Sequence, residues 1–198
     1  LLSVSKQAES ITLPAGSVVA GIRLHPAVSF AMLGKLYSQP TQVKTDDDIS
    51  STLQTLCNQL KDKPNHYARI TALYRWLSHA FNPDIDVPSS LQQALVAIDE
   101  RATPGELSEK TTLSQRQIER QFKRWMSMTP KDYQRILRVK KTLTDLKANP
   151  NSALADVAVW QGFTDQAHMT REFKQIAKIT PKQYCNQVLA EQCQSPFK

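Results

Sequence analysis

Two stretches of the chain concentrate side chains able to discriminate between hydrogen-bonding partners. The first holds Gln115, Arg116, Gln117, Glu119, Arg120 and Lys123, and the second holds Gln166, Ala167, His168, Thr170, Arg171 and Lys174. Arg donates twice to a guanine edge, Gln pairs both ways with adenine, Glu accepts from cytosine, and Ala offers apolar contact to a thymine methyl. A plain solvated helix face would instead alternate Glu and Lys four residues apart. The chemistry these residue types suit is the reading of base edges, with Lys123 reaching phosphate independently of sequence.

Other chemistries find no matching pattern. The chain has no phosphate loop, dinucleotide fingerprint, metalloprotease helix or nucleophile elbow. His25, His66, His79 and His168 share no ligand spacing, and Cys185 and Cys193 have no second Cys pair, so neither metal nor cofactor is expected. Cys57 reads as a small core residue. Asp46-Asp47-Asp48 reads as charge at a helix start, with a cation site as the weaker alternative. No catalytic residue emerges, and the expectation is that the protein is not an enzyme.

Helical periodicity explains how both donor sets are presented. With Ile118, Phe122 and Trp125 inward at i, i+4 and i+7, the first set turns outward and Gln117 lies at its margin. Met169, Phe173 and Ile176 repeat the spacing and turn the second set outward. A shift of 51 residues superposes Arg120 on Arg171, Phe122 on Phe173, Lys123 on Lys174, Thr129-Pro130-Lys131 on Thr180-Pro181-Lys182 and Tyr133 on Tyr184. One helical unit therefore occurs twice. In the first copy, Pro104 to Lys110 forms a short helix and Ser114 to Met126 a long one. In the second, Ala153 to Gln161 stops at Gly162, and Asp165 to Lys178 is the long helix. A short helix, a tight turn and a long helix outline a helix-turn-helix, although helical hairpins also serve purely as packing units.

Boundary signals support these assignments. Ser90 with Gln93, Thr103 with Glu106, Ser114 with Gln117 and Thr180 with Gln183 have capping-box spacing, and Pro130 and Pro181 suit a first helical position. Between the copies, Ile136, Val139, Leu143 and Leu146 stripe a helix from Lys131 to Ala148, about 27 Å long. Successive major-groove faces lie about 34 Å apart, and DNA bending can absorb the mismatch. Arg135, Arg138, Lys140 and Lys141 on this helix serve either phosphates or internal carboxylates.

Upstream, Ile11 to Leu13 and Val18 to Leu24 flank a Pro-Ala-Gly-Ser turn and read as strands. Helical spacing follows in Phe30, Leu33, Leu36 and Tyr37, then in Ile49, Leu53, Leu56 and Leu60. A further helix runs from about Asn65 to Phe81 with Ile70, Leu73, Tyr74 and Leu77 inward. Asn82 to Pro88 reads as a linker. With 198 residues, 40% hydrophobic, and no apolar run near the roughly 20 residues of a membrane span, the chain fits one or two globular domains. It begins with Leu rather than Met, which leaves its N-terminal extent open. The absence of an export-type opening and of a disulfide framework points to a reducing cytoplasm. Of the net +7, residues 1–88 hold 8 Lys and Arg against 7 Asp and Glu, whereas residues 89–184 hold 16 against 10. The excess lies on the repeated units, so nucleic acid is the first partner to weigh against a merely solvated surface.

Four segments resemble the DNA-binding domain of AraC/XylS-type bacterial transcription regulators. They are Leu-Ser-Gln-Arg-Gln-Ile-Glu-Arg-Gln-Phe (113–122), Thr-Pro-Lys-Asp-Tyr (129–133), Ala-Asp-Val-Ala-Val-Trp-Gln-Gly-Phe-Thr-Asp-Gln-Ala-His-Met-Thr-Arg-Glu-Phe-Lys (155–174) and Ile-Thr-Pro-Lys-Gln-Tyr (179–184). The resemblance covers residues 89–184, roughly half the chain. It implies a seven-helix domain in which a central helix joins two helix-turn-helix subdomains, and binding of promoter DNA in two consecutive major-groove segments. Its groove-facing places fall on Arg116, Gln117, Glu119 and Arg120, and on Gln166, Ala167, His168, Thr170 and Arg171. Residues 106–112 depart from the family in having no small Ala after Leu107 and no Gly in the turn. Met126-Ser127-Met128 likewise replaces a Gly-containing turn. Residues 21–34 are similar to the region where some such regulators leave a cupin-like sensor domain.

The expected fold is mainly α: two helix-turn-helix units, about 103–126 and 153–178, joined by a central helix within a DNA-binding domain of residues 87–198. A small α+β or helical region, residues 1–86, precedes them as a sensor or oligomerisation remnant. The expected function is sequence-specific regulation of transcription through double-stranded promoter DNA. RNA polymerase is a further candidate partner, residues 1–86 are the place for a small-molecule effector or self-association, and no membrane is expected. The alternative is a basic helical protein that binds nucleic acid without sequence preference. A small-molecule-modifying N-terminal half is disfavoured by its sparse His, Asp and Glu.

Overall fold

The structure, a computed structural model, describes residues 4–37, 39–41, 48–80 and 86–194. Among these residues it contains ten helices and no strand. They are α1 (Pro26–Leu33), α2 (Asp48–Lys61), α3 (His66–Ala80), α4 (Ser89–Asp99), α5 (Pro104–Thr111), α6 (Gln115–Met126), α7 (Pro130–Ala148), α8 (Leu154–Trp160), α9 (Gln166–Ala177) and α10 (Pro181–Gln194). None is long and apolar enough to cross a membrane.

The 19-residue α7 organises the second half of the chain and spans about 28 Å. Its N-terminal part, with Tyr133, Ile136 and Leu137, packs on a core of Leu91, Ala94 and Ile98 from α4, Leu107 from α5, and Ile118, Phe122 and Met126 from α6. Its C-terminal part, with Val139, Leu143 and Leu146, packs on Val157 and Ala158 from α8, Phe163, Met169 and Phe173, and Cys185 from α10. The expected stripe is thus shared between two cores. The repeat has a packing basis: Phe122 meets Tyr133 at 6.1 Å between ring centroids, and Phe173 meets Tyr184 at the same separation. Both Phe rings are fully buried, which accounts for the recurrence of these pairs.

Part of the N-terminal half folds against these units. Ala27 of α1 enters the first core, and Phe30 sets its ring edge against Trp125 with centroids 4.9 Å apart. His25 caps α1 by accepting from the Ala27 N–H at 3.3 Å, and its other ring nitrogen lies 3.3 Å from the Tyr133 hydroxyl. Val4 N–H donates to the Tyr37 carbonyl, and Ala8 N–H to that of Ile176 at the end of α9.

Several expectations are corrected. The strands at 11–13 and 18–24 do not form; this stretch is irregular apart from a turn in which Ser17 N–H donates to the Pro14 carbonyl. Ile11, Leu13, Val18 and Val19 stay 50–69% exposed, and a lone ribbon without a layer to cover its apolar face is not stable in water. On α3, Ile70 and Tyr74 are 50% and 71% exposed rather than inward. α3 packs on α2 with Ala68, Ala72, Leu73, Trp76 and Leu77 half-buried, so Leu73 and Leu77 lie on the covered side as expected and Ile70 and Tyr74 do not. Cys57 is exposed, because Leu56 takes the buried place on α2. Phe81, the linker's residues 82–85, and Asp46-Asp47 lie outside the described residues.

Candidate nucleic-acid interface

Each reading helix is held at its start by its own sequence. Ser114 Oγ accepts from the Gln117 N–H while Gln117 Oε1 accepts from the Ser114 N–H at 2.8 Å, a reciprocal cap on α6. Asp165 caps α9 by accepting from the His168 N–H at 2.6 Å. The expected boxes at Thr103 with Glu106 and Thr180 with Gln183 form, and Thr129 with Asp132 adds one at the start of α7. In this box the third position holds Asp132, where the usual pattern has Glu or Gln. Burial alone would raise the Asp132 carboxyl, but Lys6 at 2.7 Å and the bonds from Thr129 outweigh that and hold it below its ordinary value. Ser90 does not cap: α4 starts at Ser89 behind Pro88, which places Ser90 inside the helix, where it exchanges hydrogen bonds with Gln121.

The turns differ between the copies as the sequence differs. α8 is followed by Gly162 at φ 75°, whereas α5 ends on Thr112 at φ 54°. A β-branched residue is strained in the left-handed region, so the first turn achieves with Thr what the second achieves with Gly.

On α6, Gln115, Arg116, Gln117, Glu119, Arg120 and Lys123 are all exposed. Gln117 is engaged by its cap, and Gln115 donates to Glu119 Oε1 at 3.1 Å. On α9, Gln166, Ala167, Arg171 and Lys174 are exposed, while His168 and Thr170 are half-buried. His168 is turned back onto its unit. Its Nδ1 accepts from the Thr164 N–H at 3.2 Å, and its ring stands edge-on to Phe163 at 5.6 Å. Thr170 donates to the Gln166 carbonyl. Among the described residues, Arg116, Arg120, Lys123, Arg171 and Lys174 make no side-chain hydrogen bond or ion pair, which leaves these five cations available to an external anion or base.

On α7, Arg135, Arg138 and Lys141 prove to be internal. Arg135 Nε donates to Glu172 Oε1 at 2.7 Å and its Nη2 to Gln175 at 2.6 Å. Arg138 lies over the Phe163 ring and donates to the Gly162 carbonyl at 3.3 Å. Lys141 meets the Asp99 carboxylate at 3.0 Å. Lys140 is exposed.

Glu172 was missed by sequence reasoning. It receives Arg135, sits 3.5 Å from His168 Nε2, and has its second oxygen buried without a hydrogen-bond partner, 3.9 Å from Arg138. The signal was present: Met169, Glu172, Phe173 and Ile176 follow i, i+3, i+4, i+7, which puts a carboxylate on the inward stripe. Gln121 occupies the same place in the first copy. Each polar residue ties its reading helix to the helix that precedes its unit, Gln121 to α4 and Glu172 to α7.

Residues 107–187 match the family model of a helix-turn-helix domain. The match runs from within α5 to within α10 and takes in both reading helices and the whole of α7. It supports a DNA-binding transcription regulator of the AraC type, and a helix-turn-helix domain of this kind is a DNA-binding rather than an enzymatic one. No curated protein matches the chain. Outside the helix-turn-helix domain, no group of three or more His, Cys, Asp or Glu able to hold a metal ion occurs among the described residues, nor does one occur within it.

Proposed function

We propose that the chain regulates transcription by reading two consecutive major-groove segments of promoter DNA, with α6 and α9 as the two reading helices. The observation that carries this reading is the duplicated exposed face, in which Arg116, Arg120 and Lys123 on one helix and Arg171 and Lys174 on the other lack internal partners among the described residues. Arg120 and Arg171 are the base-reading candidates, and Lys123 and Lys174 serve phosphate. Gln166 and Ala167 complete the second face, whereas His168 acts chiefly in holding α9. The 28 Å estimated for α7 falls short of the groove repeat by about 6 Å, a gap that modest DNA bending closes.

Competition binding tests the proposal. A sequence reader binds its selected site about a thousandfold or more tighter than random duplex of equal length at physiological salt. A protein that merely coats nucleic acid shows little such discrimination, and that result overturns the reading.

A further inference from the structure

Two readers on one chain recognise a bipartite site only if their separation is fixed. The first unit packs on α7 through α4 and α6, and the second packs on it through α9 and α10. α7 therefore joins two separate cores, and a single shared helix leaves the units free to rotate about it unless a second link closes the arrangement.

Beside the backbone bond from Ala8 to Ile176 of α9, the segment between α4 and α5 supplies such a link through a side chain. It is pinned to α7 from two sides: Lys141 Nζ donates to the Asp99 carbonyl at 2.8 Å, and Gln134 Nε2 donates to the Ala102 carbonyl at 3.1 Å. Between these anchors Arg101 adopts φ 68°, a left-handed conformation unfavourable to a long side chain such as arginine. Its guanidinium crosses to the second unit. Nη1 donates to the Trp160 carbonyl at 3.0 Å, and Nη2 lies 3.5 Å from Gln161 Oε1. The Trp160 carbonyl is one of the terminal acceptors of α8, where the helix dipole favours a cation. Gln161 is buried and donates in turn to Asp145 of α7. Among the described residues, Arg101 makes the side-chain hydrogen bond that runs directly from the first unit to the second.

We infer that Arg101 is a positioning residue that fixes the spacing of the two reading helices, so that the distance between DNA half-sites becomes part of specificity. The inference rests on the two-segment reading above. A strained backbone, held on both sides and pointing one cation at the end of α8, has a structural purpose if it closes the loop formed by α4, α7 and α8.

Arg101→Gly provides the test, since glycine accepts φ 68° without strain. The full chain is bound to duplexes selected from a random pool, and to the same duplexes with one base pair inserted between the half-sites. One added base pair shifts the second half-site by about 3.4 Å and turns it by about 35°. The wild-type affinity should fall at least about tenfold and that of the variant less than about threefold, with near-equal binding of the uninterrupted site. The dependence of binding on salt should be the same for both proteins. Equal insertion penalties in the two proteins overturn the inference. A salt slope lowered by about one in the variant also overturns it, because Arg101 would then be a phosphate contact. If the wild type tolerates the insertion, the two-segment reading itself fails and the spacing role falls with it. Arg101→Gln, which removes the charge and ends two bonds short of the guanidinium nitrogens, replaces glycine in the comparison if the latter lowers the melting temperature.

Discussion

Glu172→Gln removes one negative charge from the junction of α7 and α9 and changes little else. The Glu172 side chain is 12% exposed and accepts from Arg135 at 2.7 Å. A hydrogen bond to a charged group contributes about 1.5–3 kcal/mol and a neutral one about 0.5–1.5. Glutamine keeps an acceptor for Arg135, which stays charged, so what is lost is the ion-pair attraction of a partly exposed pair, about 1 kcal/mol. Two features bear on that figure in opposite directions. Arg135 is 26% exposed and keeps its bond to Gln175, so it is not stranded, whereas the amide NH2 set at the place of the buried second oxygen finds no acceptor and faces Arg138 instead of pairing with it. The net expectation is a loss of about 1 kcal/mol, which for a chain of this size lowers the melting temperature by roughly 2–4 °C. Glu172→Ala, which also removes the acceptor, should cost about 2–3 kcal/mol. Melts of the full chain followed by circular dichroism measure both. If the glutamine variant melts within about 1 °C of wild type and alanine does no worse, Glu172 does not join the two helices.

Other expectations follow from the same geometry. Arg120→Ala and Arg171→Ala should each weaken binding to the selected site by about 1–3 kcal/mol and relax preference at one base position; unchanged binding in both removes them from the reader set. Lys123→Ala should weaken selected and random duplex alike and lower the salt slope by about one, and a loss confined to the selected site contradicts its phosphate role. Thr112→Asn should stabilise the chain by about 0.5–1 kcal/mol, because Asn tolerates the left-handed conformation that strains Thr, and urea titration would detect the shift. His25 is held below its ordinary value of 6.5 by burial and by the charge of Lys140. The contribution of its neutral form is therefore complete above about pH 6.5 and is lost as the pH falls toward the folded value. His25→Asn keeps a capping acceptor that does not titrate, so its urea midpoint should fall less than that of wild type between about pH 6.5 and 5; parallel curves rule out the coupling.

What was legible in the sequence was local or periodic. The caps at Thr103, Ser114 and Thr180 depend on residues three apart, and the stripes of α6, α7 and α9 recur within one or two turns, so pattern alone places them. The repeat announced Phe122 with Tyr133 and Phe173 with Tyr184, pairs whose packing the fold then explains. Long-range partners were not legible. The carboxylate that engages Arg135 lies 37 residues away, and the helix end that engages Arg101 lies 59 residues away, and neither spacing carries a signal. The apolar alternation at 11–24 promised strands, but alternation shows only that a strand is affordable, whereas a strand also needs a neighbour. Likewise, the apolar residues of α3 outnumber the sides that one packed helix can cover, which left Ile70 and Tyr74 in solvent. Among the reading residues, exposure of Arg120 and Arg171 followed from the stripe opposite, whereas the inward turn of His168 depended on Phe163 and Thr164, which no helical pattern includes.

Selection of bound fragments from a random duplex pool by the full chain tests the central claim most directly. Two conserved blocks should emerge, their centres about one helical turn apart, with a G or C preference in each block that disappears in Arg120→Ala for one and in Arg171→Ala for the other. A pool that stays random after repeated rounds, or that converges on a single block insensitive to either substitution, contradicts it.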